Sequence, residues 1–146
     1  MKNVCRAALI LVVFSLALGG LSCKKKSTFG ELLLEVEGSM QAESMEREKW
    51  PPRKISWAQD VKNAQNDVGV LKKLLVEFET SILYGAQKPN WRDRREGWLS
   101  SVSNAGSISQ LRDLLMELEG SFTFEAQPAD WQEKRGDWIR RLQDLQ

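Results

Sequence analysis

Chemistry in this 146-residue chain has to come from side chains other than histidine, because it has none. The commonest general base and the commonest metal ligand are therefore missing. Carboxylates recur as Glu-x-Glu pairs: Glu35/Glu37, Glu77/Glu79 and Glu117/Glu119. Residues two apart on a helix do not share a face, so no such pair can serve as an acid/base dyad from one helix. One Glu of each pair is expected to meet an Arg of the adjoining helix, and the other to be solvated. Basic pairs recur as well: Arg53/Lys54, Arg94/Arg95 and Lys134/Arg135. Aligned in stacked units they would form a stripe for anionic lipid or a polyanion. The structural alternatives are cation–π contacts with the nearby Trp rings or ion pairs with Glu35, Glu77 and Glu117, and these are favoured. There is no G-x-S-x-G, no glycine-rich phosphate loop and no metal-ligand cluster. The expectation is a non-catalytic protein without a cofactor or metal.

The one thiol with a chemical context is Cys23. Ahead of it, residues 1–7 carry Lys2 and Arg6 and no acid, and residues 8–18 (ALILVVFSLAL) are apolar but for Ser15. Gly19, Gly20 and Ser22 then lead into Cys23. A basic start, a short apolar stretch and a small-residue exit make a secretory signal. The apolar stretch is short of the roughly 20 residues a membrane span needs. Gly20-Leu21-Ser22-Cys23 resembles the lipobox of bacterial lipoproteins, in the relaxed form of spirochaete lipoproteins, with Leu21 one place later than usual. The resemblance implies that the Cys23 thiol takes a diacylglycerol, that the signal is cut before it, and that the new amine is acylated, typically with palmitate. A cleaved signal with an incidental Cys is the alternative. Cys5 would leave with the signal, so no thiol remains for a disulfide.

Lys24, Lys25 and Lys26 follow directly. Beside a lipid anchor, basic side chains meet anionic headgroups at roughly 1 kcal/mol each; residues 23–28 are read as a tether with such contact. The place after the Cys is held by Lys24, not Asp, so it gives no inner-membrane retention signal of the enterobacterial kind. The localisation expected is the bacterial cell envelope, on the outer or the inner membrane. The whole chain carries 21 Lys and Arg against 20 Asp and Glu. Beyond Lys26 the count is 16 against 20, so the body is mildly acidic. Its partners are expected to be the membrane, through the anchor, and an unidentified protein, with no nucleic acid.

The body repeats. Leu74-Leu75-Val76-Glu77-Phe78-Glu79-Thr80-Ser81-Ile82 matches Leu114-Leu115-Met116-Glu117-Leu118-Glu119-Gly120-Ser121-Phe122, and an earlier copy spans residues 32–40. Glu35, Glu77 and Glu117 are 42 and 40 residues apart. All six Trp keep the period, in the pairs Trp50/Trp57, Trp91/Trp98 and Trp131/Trp138, seven apart in each. Seven residues is about two helical turns, so both rings of a pair share a face. Paired rings would make stacking platforms if exposed. As inter-unit filler they would each bury on the order of 200 Å², and the packing reading is favoured.

These elements are positioned by helices. Trp91, Trp98, Val102 and Ala105 share one helical face, with Asn90 and Asp130 as expected N-caps of the Trp-bearing helices. Leu111, Leu114, Leu115, Leu118 and Phe122 give the amphipathic stripe of a second helix over residues 108–124. Its equivalents run over 70–84, capped by Asn66 or Asp67, and over 29–48. The fold class expected is all-α: tandem helix hairpins of about 41 residues, about six helices in all, forming a small bundle or a short α-solenoid. The divisions are 1–22 signal, 23–28 tether and 29–146 repeat domain. Within the last, a partial copy occupies 29–57, full copies 57–98 and 98–138, and a closing helix runs to 146.

One further likeness spans residues 57–138. Trp91-x3-Arg95-x2-Trp98, the Gly106-Ser107 turn and the Leu111–Phe122 stripe are similar to the helical WHIM-type modules of chromatin-remodelling subunits. That resemblance implies a scaffold contacting linker DNA and an ATPase. The export signal and acidic body point away from a nuclear role, so only the helix-pair architecture is carried over. The function expected is a membrane-anchored lipoprotein whose helical domain serves protein interaction or envelope structure, with binding of lipid or a small apolar ligand as the alternative.

Overall fold

The computed structural model describes residues 26–146; the expected signal, Cys23, Lys24 and Lys25 lie outside the described residues. Six α-helices follow one another: α1 Phe29–Gly38, α2 Trp50–Ala64, α3 Val68–Thr80, α4 Trp91–Asn104, α5 Ile108–Gly120 and α6 Ala129–Gln143. The architecture is an all-α bundle, as the periodicity predicts.

Most helix starts have a visible cause. Thr28 and Glu31 form a capping box on α1, and Asp67 and Ser107 accept from the third residues of α3 and α5. Pro51 and Pro52 occupy the first turn of α2, where a missing N–H costs nothing. Two expected caps differ. Asn90 precedes α4 without a side-chain cap bond, and Asp130 lies inside α6, which begins after Pro128. The Asp130 carboxylate turns to Lys134, which draws its pKa below the ordinary carboxylate value.

The second helix of each repeat ends earlier than its apolar stripe suggests. The hydroxyls of Ser39, Ser81 and Ser121 donate to the carbonyls of Val36, Glu77 and Leu118 at 2.7, 2.8 and 2.6 Å. The chain then leaves the helix and makes short 3-10 turns at Ala42–Ser44, Tyr84–Ala86 and Phe124–Ala126. The late apolar residues Met45, Ile82 and Phe122 are still buried, delivered by extended backbone instead of helix.

Those turns hold the bundle together end to end. Leu83 N–H donates to the Ser44 carbonyl (2.8 Å) and Glu46 N–H to Ser81 (2.8 Å). One repeat later, Thr123 N–H donates to Ala86 (2.9 Å) and Lys88 N–H to Ser121 (2.7 Å). At the third junction, Gln41 N–H donates to the Ala126 carbonyl (2.8 Å), which joins the last turn to the first. Pro128 stands where Glu46 and Lys88 stand in the other copies and has no N–H to give. The Gln127 amide donates to the Ser39 hydroxyl instead, at 3.0 Å, across 88 residues of sequence.

The repeats therefore close into a ring. Helices α1, α3 and α5 touch one another at the centre, and α2, α4 and α6 pack outside, each against two inner helices. The partial copy at the N-terminus and the closing helix at the C-terminus are the two halves of one hairpin, α6 with α1. Of the two arrangements expected, the structure takes the bundle and not the solenoid: the equivalent positions are distributed around an axis and do not line up as a stripe. Gly30 lets α1 and α2 approach closely, since a Cβ there would come within 3.2 Å of Val61 Cγ1. Among the described residues no helix is long and apolar enough to cross a membrane.

Candidate functional site

Of the residues singled out by sequence, Cys23, Lys24 and Lys25 fall outside the described residues, and Lys26, the first that is described, is exposed. The six Trp are all buried: Trp50, Trp57, Trp91, Trp98, Trp131 and Trp138 are each at most 4% exposed. They are filler, and the exposed stacking platform is excluded. Within each pair the rings tilt at 61°, 62° and 57°, with centroids 5.2, 5.6 and 5.8 Å apart, the edge-to-face range that aromatic quadrupoles favour.

The indole N–H groups decide where those rings sit, because a buried donor needs an acceptor. The second Trp of each pair donates to a backbone carbonyl in its own hairpin: Trp57 to Leu74, Trp98 to Leu114 and Trp138 to Leu32, at 3.1, 2.9 and 3.0 Å. The last of these crosses the seam between the chain ends. The first Trp donates to a carboxylate: Trp50 to Glu37, Trp91 to Glu79 and Trp131 to Glu119, at 3.0, 3.2 and 3.0 Å.

The second Glu of each Glu-x-Glu pair departs from expectation. Expected to be solvated, Glu37, Glu79 and Glu119 are instead 4%, 1% and 2% exposed. Each also takes a cation from the helix that follows. Arg95 grips Glu79 and Arg135 grips Glu119 with two bonds of 2.7 Å, and Lys54 reaches Glu37 with a single 2.9 Å contact. Bonding to these carboxylates raises the pKa of Arg95 and Arg135 above the ordinary guanidinium value, with burial opposing the shift. Every oxygen of Glu79 and Glu119 thus accepts from a donor. The arrangement is a clamp that ties the end of each inner helix to the start of the next outer one.

The other Glu of each pair makes the expected partner contact. Glu77 meets Arg53, Glu117 meets Arg94 and Glu35 meets Arg141. Lys134 aligns with Arg53 and Arg94 but turns to Asp130, leaving Glu35 to an Arg seven positions further on. The three basic pairs are thereby spent on ion pairs, and the cation–π alternative does not occur at the Trp rings. The cation–π contact observed is Arg92 over Tyr84, 4.4 Å from the ring centroid.

Some surface residues carry no signal in the sequence. Leu83, Tyr84 and Phe124 are exposed at the turns, and Ile55 on α2. Leu83, Tyr84 and Phe124 sit in or beside an apolar stripe, where a continuous helix would bury them. A surface groove of about 630 Å³ between α3 and α4 is lined by Val76, Leu99 and Val102 together with Lys72 and Lys73. Among the described residues, no three His, Cys, Asp or Glu side chains are placed to hold a metal ion.

Residues 65–123 match a family described as a domain of unknown function (DUF8799). The match begins in the α2–α3 loop and ends just past α5, so it covers one inner helix and the next complete hairpin. No curated protein and no solved structure matches the chain.

Proposed function

We propose that this chain is a bacterial envelope lipoprotein, anchored through a lipid on Cys23, whose ring of helices is a non-catalytic module for protein interaction or envelope structure. The observation that carries the reading is the position of Cys23. It follows a basic-then-apolar leader and precedes the capped start of α1 by only a few residues. Support for a non-catalytic role comes from the carboxylates. Those that recur with the repeat are engaged by Trp, Arg or Lys, and they bind helices to each other.

Metabolic labelling with palmitate tests the anchor. Label should enter the wild type and be lost in Cys23→Ala; incorporation that survives the substitution refutes the assignment. A second reading, binding of an apolar ligand, draws on the α3–α4 groove with its Val76, Leu99 and Val102 lining. It predicts a rise in melting temperature with lipid extract that Leu99→Glu abolishes, and no rise at all would reject it.

A further inference from the structure

The ring has two unlike ends. One carries the three 3-10 turns. The other carries the α2–α3 loop (65–67), the α4–α5 loop (105–107) and both ends of the described chain. The grouping at this second end is direct. Thr28, Gly30 and Glu31 line one cleft with Val61, Lys62, Gln65 and Asn66, and Lys26 and Ser27 line another with Arg140, Arg141, Asp144 and Leu145. Arg112 donates to the Leu145 carbonyl at 2.8 Å, as Lys72 does to Ala105 at 3.0 Å.

Building on the Cys23 anchor, we infer that this second end lies against the membrane surface, with Lys26 and Lys62 facing anionic phospholipid headgroups. Chain reach supplies the first argument. Ser27 is held by Arg141 (3.3 Å) and Thr28 by its capping box, so only residues 24–26 lie between the anchored residue and the fold. Four Cα steps span at most about 14 Å. Helices α2 to α6, of 13–15 residues, are roughly 20 Å long, so the ring cannot stand on its turn end while Cys23 is in the bilayer. Charge supplies the second. Lys26 and Lys62 are exposed cations at this end and Lys24 and Lys25 directly precede it in sequence, while Arg140 pairs with Asp137 and Glu31, Asp67 and Asp144 are the carboxylates of the same end. The exposed aromatics Tyr84 and Phe124 are both on the far end and take no part in this contact. The membrane contact is therefore one of charge with headgroups, screened by salt, and the turn end projects into the envelope space.

The test uses the full-length lipidated chain in vesicles of phosphatidylcholine and phosphatidylglycerol that carry a headgroup nitroxide. A single cysteine is introduced at Asn66→Cys or at Gly85→Cys and labelled with a maleimide fluorophore. Asn66 is exposed at the tether end, and Gly85 lies at the turn end with nothing within 4 Å of an added Cβ. Lipidated Cys23 does not react, so labelling of the parent chain reports failure of the anchor and not of the orientation. The expected result is headgroup quenching at position 66 roughly twofold or more above that at position 85, as the ~20 Å offset requires. The difference should shrink in high salt and in Lys62→Glu. Equal quenching at the two positions, or stronger quenching at 85, overturns the orientation. A difference that salt and Lys62→Glu leave unchanged overturns the headgroup contact.

Discussion

Replacing Arg95 with Met keeps most of the side-chain stem, so packing is largely retained while the charge is removed. What remains is the Glu79 carboxylate, 1% exposed, with the Trp91 indole as its sole remaining partner at 3.2 Å. Breaking a fully buried ion pair from one side costs about 3–5 kcal/mol. The Arg95 side chain is 37% exposed, so solvent screens part of the interaction and a loss of about 2–3 kcal/mol is the better figure. For a domain of this size that lowers the melting temperature by roughly 8–12 °C. The ring provides its own controls. Arg135→Met should match it, because Arg135 repeats the same two 2.7 Å bonds to a carboxylate that is 2% exposed. Lys54→Met removes a single contact from a side chain that is 49% exposed, and should cost only about 1 kcal/mol. Thermal unfolding followed by circular dichroism reads all three. Adding Glu79→Gln to Arg95→Met should recover part of the loss, since the stranded charge is gone. Equal losses at Arg95 and Lys54, or a loss under about 1 kcal/mol at Arg95, would show that the clamp does not hold the ring.

Three further outcomes follow from the same geometry. The six buried Trp should give blue-shifted emission that acrylamide quenches poorly, and a spectrum of water-exposed indole would contradict the packing. Gln87 Nε2 is buried without a partner, while the equivalent position in the first repeat is the buried Met45. Gln87→Met should therefore stabilise by about 1 kcal/mol in urea unfolding, and a loss of that size would mean the amide is paired. A circular permutant that joins residue 146 to residue 27 through a short Gly/Ser linker and opens at Gly106 should fold cooperatively with unchanged Trp emission. It only exchanges which of three equivalent hairpins is left unconnected, and failure to fold would refute closure of the ring.

Helix number, order and core faces are legible in the sequence because they rest on local periodicity. Leu111, Leu114, Leu115 and Leu118 form one stripe, and all four are buried. Helix ends are not, because apolar Met45, Ile82 and Phe122 continue the pattern through extended backbone, and only serine hydroxyls at Ser39, Ser81 and Ser121 mark the break. Closure is hidden for a different reason. The Gln41–Ala126, Gln127–Ser39 and Trp138–Leu32 bonds join residues 85 or more apart, and a repeat seen as a line gives no sign that its ends meet. The burial of Glu37, Glu79 and Glu119 does leave a trace. Glu79 and Glu119 are followed at a fixed interval by a Trp twelve residues on and a guanidinium sixteen on, the pairing a buried carboxylate requires.

Three copies in one ring separate what the fold demands from what it leaves open. Where the copies agree, the residue serves the structure, as the clamp carboxylate, the two indoles and the capping serine do. Where they differ at equivalent places, the ring closes with any of the choices, so the choice was not made by closure. Ala42, Tyr84 and Phe124 occupy the same position in the three turns, and the two aromatics are 57% and 65% exposed. A turn that closes equally well on Ala42 has no packing need for either ring. Exposing aromatic surface without a packing return is unfavourable in water. Phe124, and Tyr84 apart from the Arg92 guanidinium over its ring, with Leu83 beside them, are therefore the residues whose identity closure of the ring does not explain. In the proposed orientation they stand on the end away from the bilayer, the end that a protein partner would meet.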